Sequence, residues 1–173
     1  VTADPRPLIL TALLEPHIQA RFEDLRRTHY PPDLNRVPAH VSLFHQLPGS
    51  ELEAVKRRLK ALCGEYAPPP VAVTGLKLLG KGVAYKLRAP ELVDLRAELA
   101  DGWWALLIPQ DRAGFDPHVT IQNKVTPAVA KATLQALSTT FQPISTRAIA
   151  VGIWRYLDGP WEALGSVPFR GRR

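Results

Sequence analysis

Two tetrads, His40-Val41-Ser42-Leu43 and His118-Val119-Thr120-Ile121, each place an imidazole two residues before a hydroxyl. Their β-branched and aliphatic neighbours mark them as strands, and in a strand residues i and i+2 point to the same face. Each tetrad therefore presents one imidazole and one hydroxyl together. An imidazole can take or give a proton near neutral pH, and a hydroxyl can donate to an anionic oxygen. In-line cleavage of a phosphodiester needs a base for the attacking oxygen, an acid for the leaving oxygen and donors for the charged oxygens between them. If the two strands face one cleft, His40 and His118 supply the base and acid, and Ser42 and Thr120 supply the donors.

A single His-x-Ser or His-x-Thr is common and carries little weight. What gives these two weight is a repeat at a constant offset of 78, which takes Pro31 to Pro109, Asp33 to Asp111, His40 to His118, Ser42 to Thr120, Lys77 to Arg155 and Leu79 to Leu157 with no gap. Each copy, about 7–79 and 85–157, has the order strand, helix, loop, strand, helix, strand. The first begins with the apolar run Leu8–Leu14, followed by Ile18, Phe22 and Leu25 at helical spacing. After the His40 strand, Ser50 and Glu53 form a capping-box pattern ahead of the stripe Val55, Leu59, Leu62. Residues 71–79 read as the third strand. The second copy runs from a strand at 83–89 through the stripe Leu92, Leu95, Leu99, Trp103 to the His118 strand, a helix at 127–141 and a strand at 146–157. A last strand near 161–167 and a basic tail follow. The expectation is an α+β fold of two pseudo-symmetric lobes, each a small antiparallel sheet with helices outside, enclosing a central cleft. With no linker before Gly82, one bilobal domain over 1–173 is expected.

The repeat also nominates substrate contacts. Phe44 and Gln122 lie four residues beyond the two histidines on the same nominal faces, and Lys77 and Arg155 are equivalent cations able to neutralise substrate charge. Trp154, Tyr156, Tyr85, Trp103, Trp104 and Trp161 offer stacking surfaces for a base. Trp103 belongs to a helical stripe and reads as core, and Tyr156 is the one nominated. His45, an odd number of residues from His40, reads as a structural or solvent-facing histidine, and Cys63 reads as a small core residue. The helix cations Lys56, Arg57, Arg58 and Lys60 read as a wet face. Residues 36–48 hold no carboxylate and 112–125 hold only Asp116, which is poor material for a two-metal site. No glycine-rich phosphate loop is present.

The pair of motifs resembles the H-x-[ST]-x signature of the 2H phosphoesterase superfamily, in particular its 2'-5' RNA ligase-like branch, and Pro117 stands where that branch has a proline before the second motif. Ser42 replaces the commoner threonine and keeps the hydroxyl. The resemblance implies chemistry free of metal and cofactor at RNA-type phosphates, commonly opening of a 2',3'-cyclic phosphate to a 2'-phosphate. It also implies that the first histidine donates a proton and the second accepts one. The expected partner is RNA or a nucleotide with a 2',3'-cyclic phosphate or a 2'-5' linkage. The alternatives are action on 2'-5' linkages, by hydrolysis or ligation, or a non-catalytic RNA-binding module.

Composition agrees with these expectations. In 173 residues, 46% hydrophobic and 22% charged is the profile of a folded chain, which excludes general disorder. The net charge of +6, with fifteen Arg to seven Lys, suits a polyanionic partner. One cysteine excludes an internal disulfide and a cysteine-rich zinc site, and fits a reducing compartment. No apolar run reaches the roughly 18 residues of a membrane span. A cytoplasmic monomer without membrane contact is expected.

Overall fold

The computed structural model describes residues 3–172. Strand β1 (Leu8–Leu14), apolar but for Thr11, has a strand paired to each edge and is buried at every position except the half-buried Leu13. Helix α1 (Pro16–His29) opens on a proline, whose missing N–H costs nothing in the first turn, and buries Ile18, Phe22 and Arg26 at four-residue spacing. Strand β2 (Val41–Leu47), helix α2 (Leu52–Cys63) and strand β3 (Pro70–Leu78) complete the first half. The second half is β4 (Val83–Arg88), α3 (Pro90–Trp103), the single turn α4 (Pro109–Arg112), β5 (His118–Gln122), α5 (Pro127–Thr140) and β6 (Ile144–Tyr156). Strand β7 (Trp161–Pro168) pairs with β6.

All pairings are antiparallel, in the order β2-β1-β6-β3-β4-β5. The order reads alike from both ends: motif strand, first strand of the same half, third strand of the other half. Each lobe is thus completed by a strand from the opposite repeat. The 13-residue β6 makes this exchange, pairing with β3 over Ile144–Arg147 and with β1 over Ala148–Arg155. The sheet curls, with helices on its outer face. The first helices are exchanged as well, α1 lying against β5 while Trp103 of α3 meets Phe44 of β2. A single hydrophobic core runs through both lobes. Among the described residues no helix is long and apolar enough to cross a membrane.

Two local expectations are corrected. The offset of 78 is not gapless: α1 and α3, both 14 residues long, begin at Pro16 and Pro90, which are 74 apart. The extra residues lie between α3 and β5, where α4 and a 3₁₀ turn at Trp104–Leu106 sit. The capping box does not form either. A 3₁₀ turn at Gly49–Glu51 precedes α2, which starts at Leu52 with no side-chain cap.

Candidate active site

Along both motif strands the chain alternates as its sequence demands. Ala39, Val41 and Leu43 are buried while His40 and Ser42 stay part open; Pro117, Val119 and Ile121 are buried while His118 and Thr120 stay part open. Ser42 pairs with Thr11 of β1, and Thr120 with Ala84 of β4. The two imidazoles are held identically. His40 Nδ1 lies 2.8 Å from the Pro38 carbonyl oxygen, and His118 Nδ1 lies 2.9 Å from that of Asp116. A carbonyl only accepts, so each Nδ1 must carry the hydrogen and donate it, which assigns the proton-exchanging role to Nε2. Among the described residues neither Nε2 nor either motif hydroxyl has a protein partner.

The surroundings break this symmetry. The His40 ring lies 4.6 Å from that of Trp161 (centroid to centroid), and Trp161 lies 5.9 Å from Trp154. Trp154 Nε1 donates to Thr11 Oγ1 at 2.9 Å, crossing Gly152, where a Cβ would come within 3.0 Å of both groups. A side chain there would crowd the indole and the threonine, and glycine leaves them room. Desolvation by burial, with the electrostatic effect of Arg26, His118 and His45, pushes His40 down to about 4, against the bond to Pro38. On the other lobe Lys86 pairs with His118 across the sheet, and Lys77 pairs with Ala84, the partner of Thr120. The cleft is aromatic on the His40 side and cationic on the His118 side.

Three of the residues nominated from the repeat are turned elsewhere. Both motif strands carry an extra residue at the same place: the register steps from Leu10↔Phe44 to Thr11↔Ser42 in one and from Val83↔Gln122 to Ala84↔Thr120 in the other. Such a bulge reverses the alternation beyond it. Phe44 therefore points into the core with 0% exposure, against Trp103 and under the Arg96 guanidinium, and cannot flank a substrate. Gln122 is likewise buried and donates to Thr133 Oγ1 at 2.9 Å. Arg155 is buried too, its Nη1 donating to the carbonyls of Asp4 and Arg6, so it anchors the N-terminal segment. Lys77 does lie beside the site, 3.1 Å from Asp116. Tyr156 is exposed and, with Trp161, lines a hollow of about 370 Å³ that also takes in Ile9, His45, Gln46 and Gln110. Of the other aromatics, Tyr85 packs on Phe22, Trp103 on Phe44, and Trp104 is exposed beside Arg112.

Other contributors escape a reading of motifs alone. Arg26 sends Nη1 to the Thr120 carbonyl at 3.0 Å, and Arg96 sends Nε to the Leu43 carbonyl at 3.1 Å, so each repeat's first helix braces the other's motif strand. Burial lowers both guanidinium pKa values, yet arginine stays charged. The signal was present: each arginine occupies a position on its helix's apolar stripe, four residues after Phe22 and Leu92. Lys86 was recoverable from its alternation with Ala84. Buried Asp111 accepts from the backbone N–H groups of His45 and Gln46 and from His45 Nδ1, which hold its carboxyl below its ordinary pKa despite desolvation. His45 is hydrogen-bonded there with its side chain 43% exposed. Cys63 is a core residue, its thiol pushed up to about 12 by burial. Among the described residues no three His, Cys, Asp or Glu side chains cluster as a metal ion would require.

The fold is shared with several solved structures. The protein TT0787 of Thermus thermophilus matches with a TM-score of 0.69 at 18% identity, over 96% of this chain and 100% of that one. E. coli LigT complexed with 3'-AMP matches at 0.60 and 20% identity, and a protein described as a phosphoesterase at 0.59 and 21%, each over 96% of this chain and 99% of the other. No curated protein matches. The model of the 2'-5' RNA ligase superfamily matches residues 14–160, most of the chain and both histidine motifs. The chain thus belongs to the 2'-5' RNA ligase superfamily, among the 2H phosphoesterases.

Proposed function

We propose that the protein is a metal-independent phosphodiesterase that opens 2',3'-cyclic phosphate at RNA or nucleotide ends to a 2'-phosphate. One observation carries this reading: two imidazoles on equivalent strands, each with Nδ1 committed to the carbonyl two residues back, leave two Nε2 atoms and two hydroxyls without partners among the described residues. In the opening step His40, unprotonated at neutral pH in the free protein, takes a proton from water as the water oxygen bonds to phosphorus. The bond from phosphorus to O3' breaks, and His118 gives its Nε2 proton to that oxygen. Ser42 and Thr120 donate to the two non-bridging oxygens, and Lys86 offsets their charge. This reverses the order of roles implied by family resemblance, because burial disfavours the protonated form of His40. A base attached to the ribose stacks in the hollow of Trp161 and Tyr156. LigT complexed with 3'-AMP supports a nucleotide-sized ligand in this fold.

The test is turnover of 2',3'-cyclic nucleotides, cyclic-ended oligoribonucleotides and 2'-5' dinucleotides in EDTA, with the product's phosphate position identified. Conversion of the cyclic compounds to 2'-phosphates is expected. No turnover of any, or inactivation by chelator that a divalent metal restores, overturns the proposal.

A further inference from the structure

A second hollow, of about 420 Å³, lies between α2 and β7. Its floor is Ile153, Leu164 and Val167; Lys56, Lys60 and Arg170 surround it, and among the described residues no carboxylate lines it. It lies on the far side of the sheet from the histidines. Val151 pairs with Val167 and both face α2 and the core, while Trp154, three residues along β6, faces Thr11 and the cleft. The space has a local cause. Gly165, at φ +123°, has nothing within 4 Å of where a side chain would begin, and it pairs with Ile153 just before a register irregularity.

The wet-face reading of the α2 lysines explains their exposure but not their company. Lys56 and Lys60 stand one turn apart on α2, and Arg170 comes from the far end of β7, so two separate elements bring cations to one apolar depression. Lys56 has only a loose contact with Glu53 at 3.8 Å; Lys60 and Arg170 have no ion pair among the described residues. Three cations around an aliphatic floor, only Lys56 of them in an ion pair among the described residues, match an anion attached to a flat apolar body.

We propose that this hollow binds a small phosphate monoester of nucleoside monophosphate type, its phosphate held by Lys56, Lys60 and Arg170 and its base lying on Leu164 and Val167. The site is separate from the catalytic cleft and does not depend on what the cleft cleaves. Because Ile153 adjoins Trp154 on β6, and Trp161 on β7 touches His40, occupancy bears on the strand pair that walls the cleft.

The probe is AMP, with adenosine and inorganic phosphate as separate arms, followed by amide ¹H–¹⁵N shifts of the wild type and of K56Q/K60Q. Saturable shifts are expected at Leu164–Val167, Arg170 and the last turn of α2. The two half-ligands should bind there at least about tenfold more weakly, as should AMP to the variant, the scale of one lost charge-assisted contact. Amides of Val41–Leu43 and Val119–Ile121 report the cleft in the same spectra, so a silent cleft and a silent reverse face are told apart. K60Q alone provides a milder variant if the double one disturbs folding. The proposal is overturned by no saturable shift at 164–170, by unchanged affinity in a folded variant, or by phosphate binding as tightly as AMP.

Discussion

His118 can act only through Nε2, since Nδ1 is committed to Asp116, so H118A removes one of the two proton carriers outright. Turnover of a 2',3'-cyclic nucleotide should fall about 10² to 10⁴-fold, with the fold intact by circular dichroism. Near-normal rates in the folded variant would remove His118 from the chemistry. S42A and T120A each delete one donor to a charged oxygen, and kcat/KM should drop by the equivalent of about 1 to 3 kcal/mol. An unchanged kcat/KM would take that hydroxyl out of the site. For His40, a folded-state pKa of about 4 places the acid limb of kcat/KM near that value, because protonation disables a base. Were His40 the acid, activity would instead decline as pH rose above 4, so a profile from pH 3.5 to 9 separates the two roles. The same shift acts on stability: the unfolded chain takes up the proton near pH 6.5 and the folded one only near 4. The contribution is therefore complete above 6.5 and lost as pH falls through that window, up to roughly 3 kcal/mol. Denaturant midpoints of wild type and H40N between pH 4 and 7 should diverge accordingly.

At the scale of elements, the motif strands show where legibility begins and ends. Residues 40–43 and 118–121 alternate regularly, so the faces of His40, Ser42, His118 and Thr120 follow from the tetrads themselves. Beyond them the inserted residue reverses the faces, and no local feature of Phe44 or Gln122 announces a bulge, which is defined by the partner strand's register. Arg155 is turned away for a related reason. Lys77 and Arg155 are equivalent by offset, but what each meets is decided by its neighbours: Lys77 has Asp116, whereas Arg155 is surrounded by the carbonyls of residues 4 and 6. Helix positions and strand order of type were readable from periodicity; the partners of buried arginines were not. With Phe44 in the core, F44A should cost about 3 to 5 kcal/mol in urea unfolding. KM for a cyclic nucleotide should stay within about twofold at temperatures where the variant is folded, as for a residue that touches no substrate. A large rise in KM with little loss of stability would return Phe44 to the cleft.

Across the whole molecule, no lobe is the property of one repeat. We propose that the two halves unfold together as one bilobal unit, because separating them would strip β6 from β1 and leave both lobes short of a strand. Far-UV and near-UV transitions in urea should coincide, and two resolved steps would contradict this. The exchange of third strands also bears on connectivity. The covalent joint between the halves is the short turn from Leu79 to Gly82, whereas the pairing that unites them is the β1–β6, β3–β6 and β3–β4 hydrogen bonding. Nicked at Gly80–Lys81, the chain leaves two polypeptides, each holding one of the two motif histidines and each carrying the strand the other lacks. Co-produced, they should reassemble and recover activity, while either alone should be inert. The two-histidine centre is in that sense a joint between segments that could be inherited, expressed or regulated separately.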